Sequence, residues 1–325
     1  MKVLITGGAG YIGSTICSAL EDNGHIPVIL DSLINGSQKF TEDRKFYKGD
    51  IDDPQLLKQI ITDNEDIQIV IHCAALIQVP ESMKNPSEYY YNNVIKSIKF
   101  LNHLRLSSIS RIIFSSTASV YAGTDGRMVT ESSSLSPNSP YSKTKLSVEM
   151  AIKDFCHAYR MKGISLRYFN PIGADPKMRS GPSNKNPSHV IGKLSEALQT
   201  SDGTFEITGS EWPTRDGTGI RDYVHVWDVA LAHVRAVQNF NQIVTDEYPY
   251  SEINIGSGEG TTVLELLSAF EEVAGGKIQT VHGDPRPGDV AGAYTNRDKA
   301  KSLLDWEPRF SLEQGIADFL KWIRK

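Results

Sequence analysis

Tyr141 and Lys145 set a phenol and an ammonium four residues apart in the run Tyr-Ser-Lys-Thr-Lys. On a helix that spacing puts both groups on one face, a turn from each other. A phenol ordinarily loses its proton near pH ~10, and a fixed cation beside it favours the phenolate. A tyrosine tuned in this way can take a proton from a sugar hydroxyl at neutral pH. The spacing predicts that Lys145 lowers the pKa of Tyr141.

Such a pair needs a partner for the electrons, and the N-terminus offers one. Val3 to Ile5 is a short apolar run that enters Thr6-Gly7-Gly8-Ala9-Gly10-Tyr11-Ile12-Gly13, followed by a helical pattern through Leu20. Gly7 permits the tight turn, Gly10 lets a pyrophosphate approach the backbone, and Gly13 lets the helix pack close to the strand. Tyr11 and Ile12 open that helix, whose positive N-terminus receives the phosphates. A second apolar strand, Pro27 to Leu30, ends in Asp31. Asp31 lies about 20 residues beyond the turn, where a carboxylate holds a ribose 2′-hydroxyl. It would repel a 2′-phosphate, so NAD is expected rather than NADP.

The elements that must position these groups follow. The first ~170 residues alternate strand-like runs with helical periods, predicting an α/β fold with a doubly wound parallel sheet. Ile67 to Cys73, Arg111 to Ser115 and Ile164 to Tyr168 read as buried strands. Ala74 and Tyr168 then stand at strand ends, where a cofactor meets the sheet. Ser87 to Leu106 and Ser142 to Tyr159 read as long helices. Pro171 to Ser188 reads as a loop, Val190 to Leu198 as a helix, and Tyr223 to Asn239 as a helix that packs back on the first domain. The last third, Ile253 to Lys325, mixes glycine-rich turns with two helical patterns. The expected organisation is a nucleotide domain of residues 1–170, joined by 222–250, and a smaller lobe built from 171–221 and 251–325.

Composition narrows the partners. The 325 residues carry 39% hydrophobic and 22% charged side chains and a net charge of −5, which argues against nucleic acid or an anionic membrane. No apolar run approaches the ~20 residues of a membrane span. Cys17, Cys73 and Cys156 are scattered without metal-like spacing, so no metal is expected and a reduced, cytoplasmic setting is.

Taken together, the chain resembles the extended short-chain dehydrogenases/reductases and, within them, the UDP-glucose (UDP-galactose) 4-epimerases. The resemblance rests on Gly7 to Gly13, Asp31, Gly49-Asp50-Ile51, Tyr89 to Val94, Ser115 to Tyr121, Tyr141 with Lys145, and Leu166 to Pro171. The stretch Pro213 to Val226, outside the nucleotide fold, is the most specific part. It implies a Rossmann-type sheet with a C-terminal substrate-binding lobe, bound NAD, a UDP-sugar substrate and a homodimer formed through two long helices per subunit. It also implies that Tyr141 is the base on the sugar 4-hydroxyl, that Lys145 binds the nicotinamide ribose and that Thr117 hydrogen-bonds the same sugar oxygen. Asp50 and Ile51 would flank the adenine and Asn92 would sit near the cofactor. Asn170, Arg221, Arg286 and Asp289 would hold the UDP part, with the arginines on the diphosphate. Without that motif, Arg221 reads as a surface ion pair with Asp222 or Asp216.

Some positions depart from the pattern. Ile77 replaces a lysine near the cofactor, Ala122 replaces a glycine, and His189 stands where some relatives have asparagine near the nucleotide. Ala293 aligns with a position lining the sugar pocket, where a small residue leaves room for an N-acetyl group. His72 reads as a satisfied strand histidine. The nearest rivals on the same fold are dehydratases, a UDP-glucuronate 4-epimerase and a non-catalytic NAD-binding protein. Dehydratases carry Asp-Glu after the threonine, whereas Ala118 and Ser119 here supply neither acid nor base.

Overall fold

A computed structural model of the chain describes residues 1–121, 124–183, 189–200, 203–286 and 289–325. Ala122, Pro287 and Gly288 lie outside the described residues, as does the end of the 171–188 stretch.

Seven strands form one all-parallel sheet. In spatial order they are Tyr250–Ile255, Lys162–Tyr168, Arg111–Thr117, Ile67–His72, Lys2–Thr6, Ile26–Asp31 and Lys45–Lys48. Their interiors are runs of Val, Ile and Leu because both faces are covered. One face packs Ile16, Leu20, Val229 and Phe240, and the other packs Leu57, Phe100, Val148 and Ile152. The chain order reverses at Lys2–Thr6, whose two neighbours lie on opposite sides of it. The C-terminal ends at such a reversal are where α/β sheets receive ligands.

The helix Pro140–Tyr159 brings Tyr141 and Lys145 to that edge. Ser139 caps it in a reciprocal box with Ser142, Pro140 occupies the first turn, and Arg160 ends it at φ 55. Its entry is therefore fixed by local chemistry before any tertiary contact.

The lobe has its own core, with Ile191, Leu194, Phe270 and Phe319 at its centre. A second sheet runs Gly260–Thr262, Ile220–His225, Gly292–Thr295 and Met128–Val129, and Asn170–Ile172 pairs with the far half of Ile220–His225. Gln279–Gly283 pairs with Thr204–Thr208 separately.

Four expectations need correcting. Tyr223 to His225 belongs to a strand, and the helix expected from Tyr223 is Val226–Gln238. A short apolar run does not separate the two periods, and pairing with Asn170–Ile172 decides for the strand. The helix expected over 87–106 runs from Pro86 to Arg105, but its middle, Tyr90–Ile95, is π-helical. The supposed loop from Pro171 begins inside a strand. Among its described residues the last third holds three helices, Val263–Ala274, Asp298–Leu304 and Leu312–Ile323, the second too short to show a period. Moreover, Tyr250–Ile255 is the edge strand of the large sheet, and Ala300, Leu304 and Trp306 pack in its core, so parts of 251–325 belong structurally with the first domain.

Candidate active site

The glycine turn is shaped by close approach. Gly7 has φ +72, and a Cβ on it would lie 2.7 Å from the Ala74 amide nitrogen; one on Gly13 would lie 2.2 Å from the Gly7 carbonyl. The turn is thereby pressed against the end of the Ile67–His72 strand and against its own helix. Gly10 is the N-cap of Tyr11–Asp22, and no side chain caps it. The first N–H groups of that helix thus await an acceptor. The phenol of Tyr11 donates to the Gly173 carbonyl at 2.7 Å, while Ile12 packs against the apolar core.

Asp31 is buried at the next strand end. One carboxylate oxygen accepts from the Ala9 amide (3.0 Å) and the other from Leu33 (2.8 Å). Burial raises its pKa and the two amides oppose that rise. Each oxygen keeps acceptor capacity. Asp50 is ion-paired with Lys96, and Ile51 is buried in the apolar layer beneath. Asn92 lies on the π-helical segment, where its amide donates to Asn93 at 3.1 Å. Such segments cluster at functional sites. These groups fit a dinucleotide: free helix N–H groups for a diphosphate, a carboxylate with spare lone pairs for a ribose.

Beside the turn stands the candidate catalytic corner. Tyr141 is 8% exposed, Lys145 2% and Thr117 6%. The Thr117 hydroxyl donates to the Ser119 hydroxyl at 3.1 Å and lies near enough to the Tyr141 phenol to favour its ionised form. The Lys145 ammonium sits 4.6 Å from the centre of the Phe114 ring and feels the Glu149 carboxylate and the Cys73 sulfur. Tyr168, at the end of its strand, reaches Ser115, and burial lifts its phenol far above the usual range.

The expected tuning of Tyr141 does not hold in the protein alone. Burial pushes its phenol up to about 12, and the opposing effect comes from Thr117 rather than Lys145. Lys145 is itself pulled down to about 8 by burial. Desolvation outweighs the helical pairing, because both groups lie under the sheet edge instead of on a solvated face.

His72 is the core histidine expected. It is 1% exposed, held by Thr6 (2.7 Å) and Ser97 (2.9 Å), and burial lowers its pKa to about 3. Ile77 is 64% exposed, just past Leu76.

In the lobe, Arg221 donates to the carbonyls of Ile220 (2.7 Å), Ala291 (3.1 Å) and Val290 (3.3 Å). It has no carboxylate in ion-pair range among the described residues. The ion pairs with Asp222 or Asp216 do not form. Asp222 accepts instead from Ser257, Gly258 and Thr295, and Asp216 from Thr218 and Thr262. Burial lowers the pKa of Arg221, and Arg286 works in the same direction. Arg286 itself pairs with Asp289 at 3.1 Å. Ala293 is the strand partner of Arg221 and packs beside Val120, Tyr121 and Phe169. Asn170 is exposed opposite Tyr223. His189 caps Val190–Gln199 through Nδ1 and meets Phe319 edge-on.

Two groups escaped the sequence reading. Asn93 bonds both backbone groups of Leu76 (2.8 and 3.0 Å) and the Thr144 hydroxyl (3.1 Å). Glu149 forms a buried pair with Arg167 at 2.7 Å. The signal for Glu149 was present, since Tyr141, Lys145 and Glu149 fall at i, i+4 and i+8.

Among the described residues no helix is long and apolar enough to cross a membrane, and no cluster of His, Cys, Asp or Glu could hold a metal.

Comparison with known proteins was made against this geometry. The model of the NAD dependent epimerase/dehydratase family matches residues 3–256. A UDP-glucose 4-epimerase of Rhizobium meliloti is 38% identical, over 96% of this chain and 93% of that protein. A UDP-glucose-4-epimerase structure from Stenotrophomonas maltophila, with bound NAD and formylated UDP-arabinopyranose, superposes with a TM-score of 0.93 at 35% identity, covering 100% and 98% of the two chains. The Bifidobacterium longum enzyme in complex with NAD⁺ and UDP gives 0.91 at 31% identity, with the same coverage.

Proposed function

The chain belongs to the NAD dependent epimerase/dehydratase family, and from that premise we propose that it is a UDP-glucose 4-epimerase, interconverting UDP-galactose and UDP-glucose through a 4-keto sugar. The observation that carries the reading is the convergence of Tyr141, Lys145 and Thr117 on the sheet edge that also holds the glycine turn. Lys145 lies beside Cys73, whose amide donates to Thr6, and Thr6 leads directly into that turn.

Bound NAD⁺ supplies a hydride acceptor for C4 and a positive ring that favours the Tyr141 phenolate. Tyr141 takes the 4-hydroxyl proton as the C4–H bond breaks and returns it when the ketone is reduced on its opposite face. Proton and hydride are both restored, so the reaction is an isomerisation. Thr117 orients the sugar oxygen. Lys145 is the cation of the corner and binds the nicotinamide ribose. Glycines 7, 10 and 13 with Tyr11 and Ile12 receive the diphosphate of the cofactor, Asp31 its ribose, Asp50 and Ile51 its adenine. Ala74, Asn92 and Tyr168 complete its walls.

Arg221 and Arg286 neutralise the UDP diphosphate, a role supported by the lack of a carboxylate on Arg221. Asn170, His189 and Asp289 line the same nucleotide. Ala293, set beside Arg221, leaves space at the sugar, so the N-acetylhexosamine pair is accepted as well.

Purified protein given UDP-galactose, UDP-N-acetylgalactosamine or UDP-galacturonate, with no added NAD, tests this by NMR. Conversion of the first upholds the reading; conversion of the uronate alone replaces the substrate; silence with and without NAD ends it. Equal N-acetyl turnover by Ala293→Tyr and wild type would remove Ala293 from the specificity argument. We also propose a homodimer paired through helices 87–106 and 142–159, supported by the exposed Tyr91, Ile95, Met150 and Tyr159. A monomer mass in light scattering would exclude it.

A further inference from the structure

Resting on the epimerase reading, we propose that Glu149 and Arg167 are positioning residues for the reaction, a buried clamp that fixes Thr117 on its strand relative to Tyr141 and Lys145 on their helix. The side chains are 3% and 5% exposed. Arg167 gives three hydrogen bonds to Glu149, two from Nε (3.0 and 3.1 Å) and one from Nη2 (2.7 Å). Its Nη1 donates to the Tyr121 phenol at 2.6 Å, which in turn donates to Asn254 at 3.0 Å. The Ser116 hydroxyl donates to the same Glu149 carboxylate.

The placement of these groups gives the clamp its role. Ser116 and Arg167 are partners on adjacent strands, and the next rung is Thr117 with Tyr168. Glu149 is one turn beyond Lys145 and two beyond Tyr141 on a single helix. One carboxylate therefore ties the rung before Thr117 to the helix that carries the base. Rotating that helix, or sliding it along the strands, breaks four charge-assisted bonds before the phenol moves.

Stability does not explain the arrangement. Exchanging a buried ion pair for apolar side chains of similar size is often neutral or stabilising. What five converging elements supply is a unique geometry, and a displacement of ~1 Å at a reacting group costs on the order of 10²-fold in rate. Glu149 also acts electrostatically on the Lys145 ammonium, whose other neighbours are His72 at the end of one strand, Cys73 just past it and the Phe114 ring from the next strand. The clamp thus supports the charge of the corner as well as its shape.

The test is the full-length double variant Glu149→Leu, Arg167→Met, with Arg167→Lys beside it. We expect the double variant to keep its fold by circular dichroism and to bind UDP as the wild type does. Its kcat for UDP-galactose falls by about tenfold or more, with KM unchanged. The primary isotope effect with C4-deuterated substrate rises, because the hydride step becomes slower. Arg167→Lys, which keeps the charge and loses the fork, falls between. A folded double variant with wild-type kcat and isotope effect overturns the proposal, as does a loss that only tracks the unfolded fraction. If the wild type does not turn over UDP-galactose, the reaction assigned above has failed. The clamp is then judged by ultraviolet titration of the Tyr141 phenol against Tyr141→Phe, and an unshifted midpoint in the double variant overturns it.

Discussion

The catalytic corner and the lobe treat charge in opposite ways. In the corner, polar groups are answered from within: Thr117 bonds Ser119 and acts on Tyr141, Glu149 holds Arg167 and acts on Lys145, and Asn93 ties Leu76 to Thr144. In the lobe, Arg221 is held by three backbone carbonyls, and the exposed Arg286 pairs with the part-buried Asp289. A carbonyl stabilises a guanidinium by its dipole but leaves the net charge in place. The corner is organised in the protein alone, whereas the lobe keeps positive charge where the proposed function seats a diphosphate. One region should therefore govern rate and the other affinity.

The sharpest way to break that division is Tyr141→Phe. Removing the phenol oxygen takes away the proposed proton acceptor, and we expect kcat for UDP-galactose to fall by roughly 10³-fold or more, within the range of general acid–base effects. UDP affinity, read by calorimetry, should stay at the wild-type value. A variant that lost both together would show that the corner and the lobe are not separable.

Arg221→Met is the converse. Losing the proposed charge partner of the diphosphate should weaken UDP binding by about 10²-fold, consistent with ~2–5 kcal/mol for such pairs. The thermal midpoint should hold or rise, because a part-buried cation without a carboxylate has been removed. Unchanged UDP affinity would place the diphosphate elsewhere.

Acid should find the core before it finds the lobe site. His233 bonds Ser115 (3.1 Å) and the Val229 carbonyl (2.9 Å), and burial lowers its pKa from 6.5 to about 4. The unfolded chain then binds more protons than the native one between those values. Stability is full above pH 6.5 and is lost as pH falls toward about 4, a loss on the order of 3 kcal/mol at ~1.4 kcal/mol per unit. His72 adds to the same slope. Urea unfolding of His233→Gln at about pH 7.5 and pH 5 should show a smaller difference than wild type. An equal difference would assign the acid sensitivity to other groups.

Much of this was legible in the chain because it is local. The glycine spacing, the Asp31 strand end and the Tyr141–Lys145 spacing each express one element's geometry, and the structure places all three at the sheet edge. The consequences of burial were not legible. The spacing of Tyr141 and Lys145 predicts a lowered phenol, but it carries no information on how much water each group loses. Arg167 lies 18 residues from Glu149 and meets it only because two strands and a helix pack together. The π-helical turn at Tyr90–Ile95 left no mark in the pattern of apolar residues. In the lobe, strands of two to six residues are shorter than a period needs, which is why Tyr223 to His225 read as helix.

The smallest effect tests whether the cofactor turn belongs with the pre-organised region. Asp31 already satisfies the Ala9 and Leu33 amides, so its carboxylate is held in place in the protein alone, as the corner is. In Asp31→Asn one of its two oxygens becomes an NH₂ donor, which cannot accept from an amide, and the negative charge disappears. NAD affinity should fall by about tenfold, the scale of one charge-assisted hydrogen bond of ~1.5 kcal/mol. NADP should lose the electrostatic penalty at the same time, so the preference for NAD narrows by more than the loss in NAD affinity alone. Binding of both reduced cofactors by fluorescence separates the two effects. A loss of NAD affinity with an unchanged preference would make Asp31 a brace for the turn only, and would leave discrimination against the 2′-phosphate to another group.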